Sequence, residues 1–185
     1  MKKLLIVVDM QNDFVDGALG TKQAQAIVPA VVKKIRSYEP DCIYVTRDTH
    51  GENYGETQEG KNLPVPHCIR GTEGWELNGA VAVALEQAVY VDKPSFGSPA
   101  LAHMLSVRLQ KECGGNPEEM EIELVGLCTD ICVVSNALLL KAAMPEVKIS
   151  VDASCCAGVT PKTHEAALDT MQMCQINVYN RSLEA

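Results

Sequence analysis

Gly126-Leu127-Cys128-Thr129-Asp130-Ile131-Cys132-Val133 stands between two segments of different hydrophobic period. Upstream, Glu121 to Val125 passes from alternation to a continuous apolar run and reads as a buried strand; downstream, Val133 to Ala143 carries an unbroken helix-forming pattern. Cys132 therefore falls where a strand turns into a helix. Gly126 loosens the turn, and Thr129 and Asp130 are capping residue types. A thiol in a first helical turn faces unpaired N–H groups and the positive end of the helix dipole, which favours the nucleophilic thiolate. The plainer reading, a small buried hydrophobe, describes most cysteines.

Working outward, Leu4 to Val8 is an apolar run of strand length that ends in Asp9-Met10-Gln11-Asn12-Asp13-Phe14. Ala24 to Ile35 has apolar residues at helical spacing, with Pro29 expected to mark the true start. Cys42 to Thr46 is a second strand, followed by a polar loop from Arg47 to Gly74; loops of this length inside a domain are usually functional. Asn78 to Glu86 reads as a short helix and Ala88 to Val91 as a third strand, with Asp92-Lys93-Pro94-Ser95-Phe96-Gly97 after it. Ser98-Pro99 opens a helix that Gly114-Gly115 stops. Val147 to Val151 is a fifth strand, Asp152 to Val159 a loop, Thr160-Pro161 the start of a helix to Met173, and Ile176 to Tyr179 a sixth strand. Strands alternating with helices predict an α/β fold: one domain over 1–181, a doubly wound parallel sheet of about six strands with helices on both faces, and a tail at 182–185.

Composition narrows the function classes. The chain has 185 residues, 46% hydrophobic and 22% charged, which suits one globular domain. Sixteen Lys and Arg against 24 Asp and Glu give a net charge of -8, so the basic footprint of a nucleic-acid binder is missing. Asp9 interrupts the first apolar run too early for a signal peptide, and no run approaches a membrane span. A cytoplasmic protein with eight reduced cysteines is expected, and their spacing contains neither a CxxC pair nor a Cys₄ zinc module.

Ligands of such sheets bind beyond the carboxyl ends of the strands, near the point where strand order reverses. Three polar groups are expected there: Asp9 after strand one, Lys93 after strand three and Cys132 after strand four. A carboxylate can take the thiol proton, an ammonium can stabilise the thiolate, and the thiolate can attack a carbonyl carbon. Singly, Asp9 also suits a turn and Lys93 a solvated surface.

These residues, in Asp-Met-Gln-Asn-Asp-Phe, Asp-Lys-Pro-Ser-Phe and Gly-Leu-Cys-Thr-Asp-Ile-Cys-Val, resemble the signature of the isochorismatase-like cysteine hydrolases. Asp152-Ala-Ser154 and Thr163-His-Glu-Ala-Ala-Leu168 are similar to that family too. The resemblance spans nearly the whole chain and implies a catalytic triad of Asp9, Lys93 and Cys132. It also implies a cis peptide between Leu127 and Cys128, with the N–H groups of Cys128 and Cys132 forming an oxyanion hole.

Asp48-Thr49-His50 and the later His67 place one carboxylate and two of the four histidines in the long loop, a set suited to Zn²⁺, Mn²⁺ or Fe²⁺. Ordinary hydrogen-bonding loop histidines fit the same spacing. The pattern resembles the metal site of nicotinamidases, which implies a divalent ion, zinc first, with Glu59 as an additional ligand and Glu56 as its competitor. The resemblance implies hydrolysis of nicotinamide to nicotinate and ammonia in pyridine-nucleotide salvage, with Phe14 and Phe96 as walls for the ring, in a homo-oligomer. Pro64 and Thr49 stand where many nicotinamidases have tryptophan. A carbamoyl or ureido amidohydrolase without metal, and a non-catalytic binding protein of the same fold, are the alternatives.

Overall fold

In β1 (Lys2–Val8), Leu4, Ile6 and Val8 turn to one side of the sheet and Leu5 and Val7 to the other, all without solvent contact. Such a strand is buried on both faces, which requires helices above and below it. The structure, a computed structural model, describes residues 1–85 and 87–181. Further along the chain come α1 (Asn12–Val15), α2 (Lys22–Ile35), β2 (Ile43–Asp48), α3 (Gln58–Asn62), α4 (Gly79–Ala84), β3 (Val89–Lys93) and α5 (Pro99–Cys113). They are followed by β4 (Met120–Leu127), α6 (Val134–Ala143), β5 (Lys148–Ala157), α7 (Pro161–Met173) and β6 (Asn177–Tyr179).

The six strands form one sheet in the order β3-β2-β1-β4-β5-β6, with every pairing parallel. One core packs α1, α2 and α4 on one face, and a second packs α5, α6 and α7 on the other. The expected doubly wound fold is therefore present. The chain reverses its direction of travel across the sheet between β1 and β4, so the crevice at their carboxyl ends is the expected ligand position.

Several boundaries differ from expectation. Pro29 lies inside α2; the start is set by Thr21, whose hydroxyl accepts from the Ala24 N–H at 3.0 Å, and packing of Ala24, Ile27, Val31 and Ile35 offsets the lost bond. The Asp152 to Val159 segment is mostly strand, because β5 continues to Ala157 through a register shift in which Leu124 faces Val151 and Gly126 faces Cys156. Lys93 ends β3 rather than following it. The long loop contains α3 and a 3₁₀ turn at Tyr54–Glu56. The expected helix end at Glu86 and the tail at 182–185 lie outside the described residues. Among the described residues, no helix is long and apolar enough to cross a membrane.

Candidate active site and metal centre

Parallel pairing sets Val8 of β1 opposite Thr46 of β2 and Gly126 of β4, and Asp48 of β2 opposite Lys93 of β3. The residues just past or at these ends are consequently brought together at one rim. Gly126 has φ 118°, and a Cβ there would run into the Val8 carbonyl oxygen. Only glycine lets β4 approach β1 this closely while turning toward Cys132.

Asp9 follows β1 in a left-handed backbone, φ 45°, and is fully buried. The Thr46 hydroxyl donates to its Oδ1 at 2.7 Å, and the Lys93 Nζ lies 2.7 Å from its Oδ2. The same ammonium is 3.5 Å from the Cys132 Sγ and 3.5 Å from Asp48 Oδ1. Burial raises the Asp9 carboxyl above the usual carboxylate range, against the pull of Lys93. Lys93 is raised despite burial, because the Asp9 and Asp48 carboxylates lie against it. Burial and the Asp9 charge push the Cys132 thiol well up, so the resting sulfur carries its proton, contrary to the thiolate that a helix N-terminus alone suggests.

Cys132 sits in a π-helical turn, Thr129–Val133, ahead of α6. The Leu127–Cys128 peptide is cis. The Cys128 carbonyl accepts from the N–H groups of Ile131 (3.1 Å) and Val133 (3.0 Å), the two that flank Cys132. Thr129 and Asp130 do not cap this helix. The Thr129 hydroxyl pairs with His164 Nδ1 at 2.8 Å, and the Asp130 carboxylate accepts from the Val159 N–H at 3.1 Å, tying the turn to α7 and to the segment before it. Asn136 of α6 donates to the carbonyls of Cys132 (2.8 Å) and Phe96 (3.2 Å), joining the sulfur's turn to the segment after β3.

Beside Asp9, Lys93 and Cys132, the side chains of Asp48, His50, Glu59 and His67 bring one ligand atom each within 4.8 Å of one another. The His50 backbone pairs with residues 68 and 70, which carries His67 alongside. His67 Nδ1–H donates to the Val65 carbonyl at 2.8 Å and leaves Nε2, 3.6 Å from Asp48 Oδ2 and from Glu59 Oε1. His50 Nε2 is 3.0 Å from Asp48 Oδ2 and 3.6 Å from Glu59 Oε1. Burial would raise the Asp48 carboxyl, but His50, His67 and Lys93 together hold it well below the usual range. Two carboxylate oxygens and two imidazole nitrogens, three of the four residues buried, fit a Zn²⁺-like ion. Glu56 is exposed and outside this group.

Residues to which the sequence reading gave no role hold the site in place. The Gln11 side chain donates to the Asp48 carbonyl at 2.8 Å and accepts its N–H at 2.7 Å. Asp13 accepts the Cys68 N–H at 2.8 Å beside His67. Tyr54 packs its ring edge-on to His50 and His67, with centroids 4.7 Å and 5.0 Å away. Their only sequence signal was their place in polar bursts after strands.

Both clusters open into one cavity of about 780 Å³ that includes Phe14, Phe96, Leu63, Val159 and Cys128 in its lining. Phe14 is buried, 5.4 Å from the His67 ring, whereas Phe96 is 44% exposed.

The Isochorismatase domain family model matches residues 3–181. The chain belongs to the isochorismatase family. Among solved members, the nicotinamidase/pyrazinamidase PncA of Bacillus subtilis superposes with TM-score 0.80 at 28% identity, covering 97% of this chain and 100% of that one. The pyrazinamidase of Pyrococcus horikoshii, solved in complex with zinc, superposes with TM-score 0.73 at 27% identity, over 98% and 100%. The nicotinamidase/pyrazinamidase of Mycobacterium tuberculosis is 25% identical over 95% of this chain and 97% of its own. As an isochorismatase-family hydrolase, the chain thus has relatives and structural neighbours that carry nicotinamidase or pyrazinamidase names.

Proposed function

We propose that this family member is a metal-assisted cysteine amidohydrolase that converts nicotinamide and water to nicotinate and ammonia. One observation carries the reading: a single buried ammonium, Lys93, touches both the Asp9 carboxylate at 2.7 Å and the Cys132 sulfur at 3.5 Å. Moving the thiol proton to Asp9 turns a carboxylate–ammonium pair into a thiolate–ammonium pair without changing the net charge of the enclosed site. Burial raises the proton affinity of Asp9, which fits it to accept the proton, while the ammonium of Lys93 offsets the raised thiol by stabilising the thiolate.

The Cys132 thiolate attacks the carboxamide carbon, and the backbone N–H groups of Cys128 and Cys132 meet the developing oxyanion. Asp9 returns its proton to the amide nitrogen, the C–N bond breaks and ammonia leaves a thioester. Asp9 then takes a proton from water, which attacks the thioester carbon, and nicotinate departs as the thiol re-forms. Asp48, His50, His67 and Glu59 would hold a divalent ion, with zinc the first choice, which would supply an electron-pair acceptor for the pyridine nitrogen. Phe14 and Phe96 flank the ring. Eight unpaired cysteines suit a reducing compartment, and the reading places the enzyme in the cytoplasm.

Ammonia release from nicotinamide by zinc-loaded protein, with Cys132→Ala and with chelator, tests the proposal. Expected are turnover by the native chain, loss by at least ~10³-fold in the variant, and chelator-dependent loss restored by zinc. Absence of ammonia from the loaded native chain overturns it.

A further inference from the structure

The cavity has room beyond the substrate proposed above. A pyridine ring with one carboxamide, whose heavy atoms each take less room than a water molecule's ~30 Å³ share, fills no more than about 270 Å³. The open cleft shared by Cys132 and the Asp48, His50, Glu59 and His67 group is about 780 Å³. Its exposed lining includes three large apolar side chains, Leu63 (38% exposed), Phe96 (44%) and Val159 (52%), from three separate segments, beside the polar Gln58, Asn62 and Ser95. Apolar side chains gathered in the open around a cleft mark a surface that a ligand covers.

Each of the three is pinned at its backbone. The Leu63 carbonyl accepts from the Tyr54 hydroxyl at 2.9 Å, the Phe96 carbonyl from Asn136 at 3.2 Å, and the Val159 N–H donates to Asp130 at 3.1 Å. Tyr54 packs on the metal-ligand histidines, while Asn136 and Asp130 belong to the Cys132 turn and its helix. The rim is therefore preformed and in fixed register with the chemistry, so covering it involves little ordering.

We infer that the site selects pyridine-3-carboxamides bearing an apolar substituent at ring position 5, which seats against Leu63, Phe96 and Val159. The inference rests on the amidohydrolase reading above. With the ring nitrogen at the metal ligands and the carboxamide carbon at the sulfur, the ring edge between them faces inward. Position 5, on the opposite edge, then points to the rim.

The test compares kcat/KM for nicotinamide and its 5-methyl, 5-ethyl and 5-propyl derivatives on zinc-loaded protein. Calorimetry measures binding of the same series to Cys132→Ala, in which chemistry is blocked. Expected is a gain of about threefold per added carbon, appearing in KM with kcat unchanged, as uniform binding requires. Leu63→Asn and Val159→Asn should each lower the propyl-to-unsubstituted ratio by about threefold or more. A flat or falling series, with nicotinamide still hydrolysed, overturns the inference and leaves the reaction standing. If nothing is hydrolysed, the reaction fails while the calorimetric series decides the rim: rising affinity supports it, and constant affinity overturns it.

Discussion

Asp9 holds a backbone conformation that costs a non-glycine residue of order 1 kcal/mol, and such residues persist where surrounding contacts enforce them. Here the enforcement comes from Thr46 on one carboxylate oxygen and Lys93 on the other. Asp9→Asn keeps the shape, removes the charge and leaves Lys93 short of its nearest anion. Stability should fall by about 3 kcal/mol, as when one partner of a buried ion pair is lost, visible in the denaturant midpoint. Amide hydrolysis should fall by about 10²- to 10⁴-fold, the usual contribution of a positioned base. A folded variant that retained the native rate would remove Asp9 from the proton path. Asp9, Lys93 and Cys132 were legible because each is a chemically capable group beside an apolar strand. Gln11 and Asp13 were not, since they serve backbone groups 37 and 55 positions away.

Elements with a strong period were equally legible: α5 begins on the expected Ser98 cap and ends on left-handed Gly114, and α7 begins on a Thr160 capping box. The helix bearing Glu59 was hidden. α3 is five residues long with Gly60 at its centre, a residue that weakens any local helical signal. That glycine is needed there, because a Cβ would run into the Tyr54 carbonyl. β5 was cut short because its register shift breaks the alternation by which a strand is recognised. The connection from β2 to α4 thus owes its shape to contacts with distant segments, and Asp13 supplies a central one. Cys68, next to His67, has φ 47° and gives its N–H to Asp13. Asp13→Ala frees that N–H and lets the segment carrying His67 shift. Zinc affinity should fall by about 10- to 100-fold, as when support behind a metal ligand is removed, measured by competition with a chromogenic chelator. Unchanged affinity would show that the loop is ordered by its other contacts.

At the scale of the whole molecule, a polar cluster away from the Cys132 cavity joins α2 to β4, β5 and β6. Lys34 Nζ lies 2.8 Å from Glu123 Oε1, 2.8 Å from Asp152 Oδ2 and 2.9 Å from the Tyr179 hydroxyl. The Tyr38 and Tyr179 hydroxyls both donate to Glu123. Burial pushes the Asp152 carboxyl upward, but Lys34, Ser154 and Asn180 outweigh it and hold the group below its usual value. A carboxyl depressed on folding adds stability above its unfolded pKa of about 3.9, and that stability is lost as pH falls through the lower folded value. Lys34 is raised, so its share is complete below the ordinary lysine range and fades only at strongly alkaline pH. Lys34→Met removes the cation and leaves Asp152 buried beside Glu123, so the carboxyl rises instead of falling. The variant should be less stable by about 2 kcal/mol at pH 7; an enclosed pair loses more, but Lys34 keeps some solvent contact and is screened. The gap should begin to narrow above pH ~4, as acid neutralises the raised carboxyl that the variant left unpaired, and go on narrowing below it as the native protein loses the Lys34–Asp152 pair, by up to about 1.4 kcal/mol per pH unit for one proton. Denaturant curves for both proteins between pH 3 and pH 7 provide the comparison. A gap that stays constant across that range would mean that the Asp152 carboxyl does not depend on the Lys34 charge.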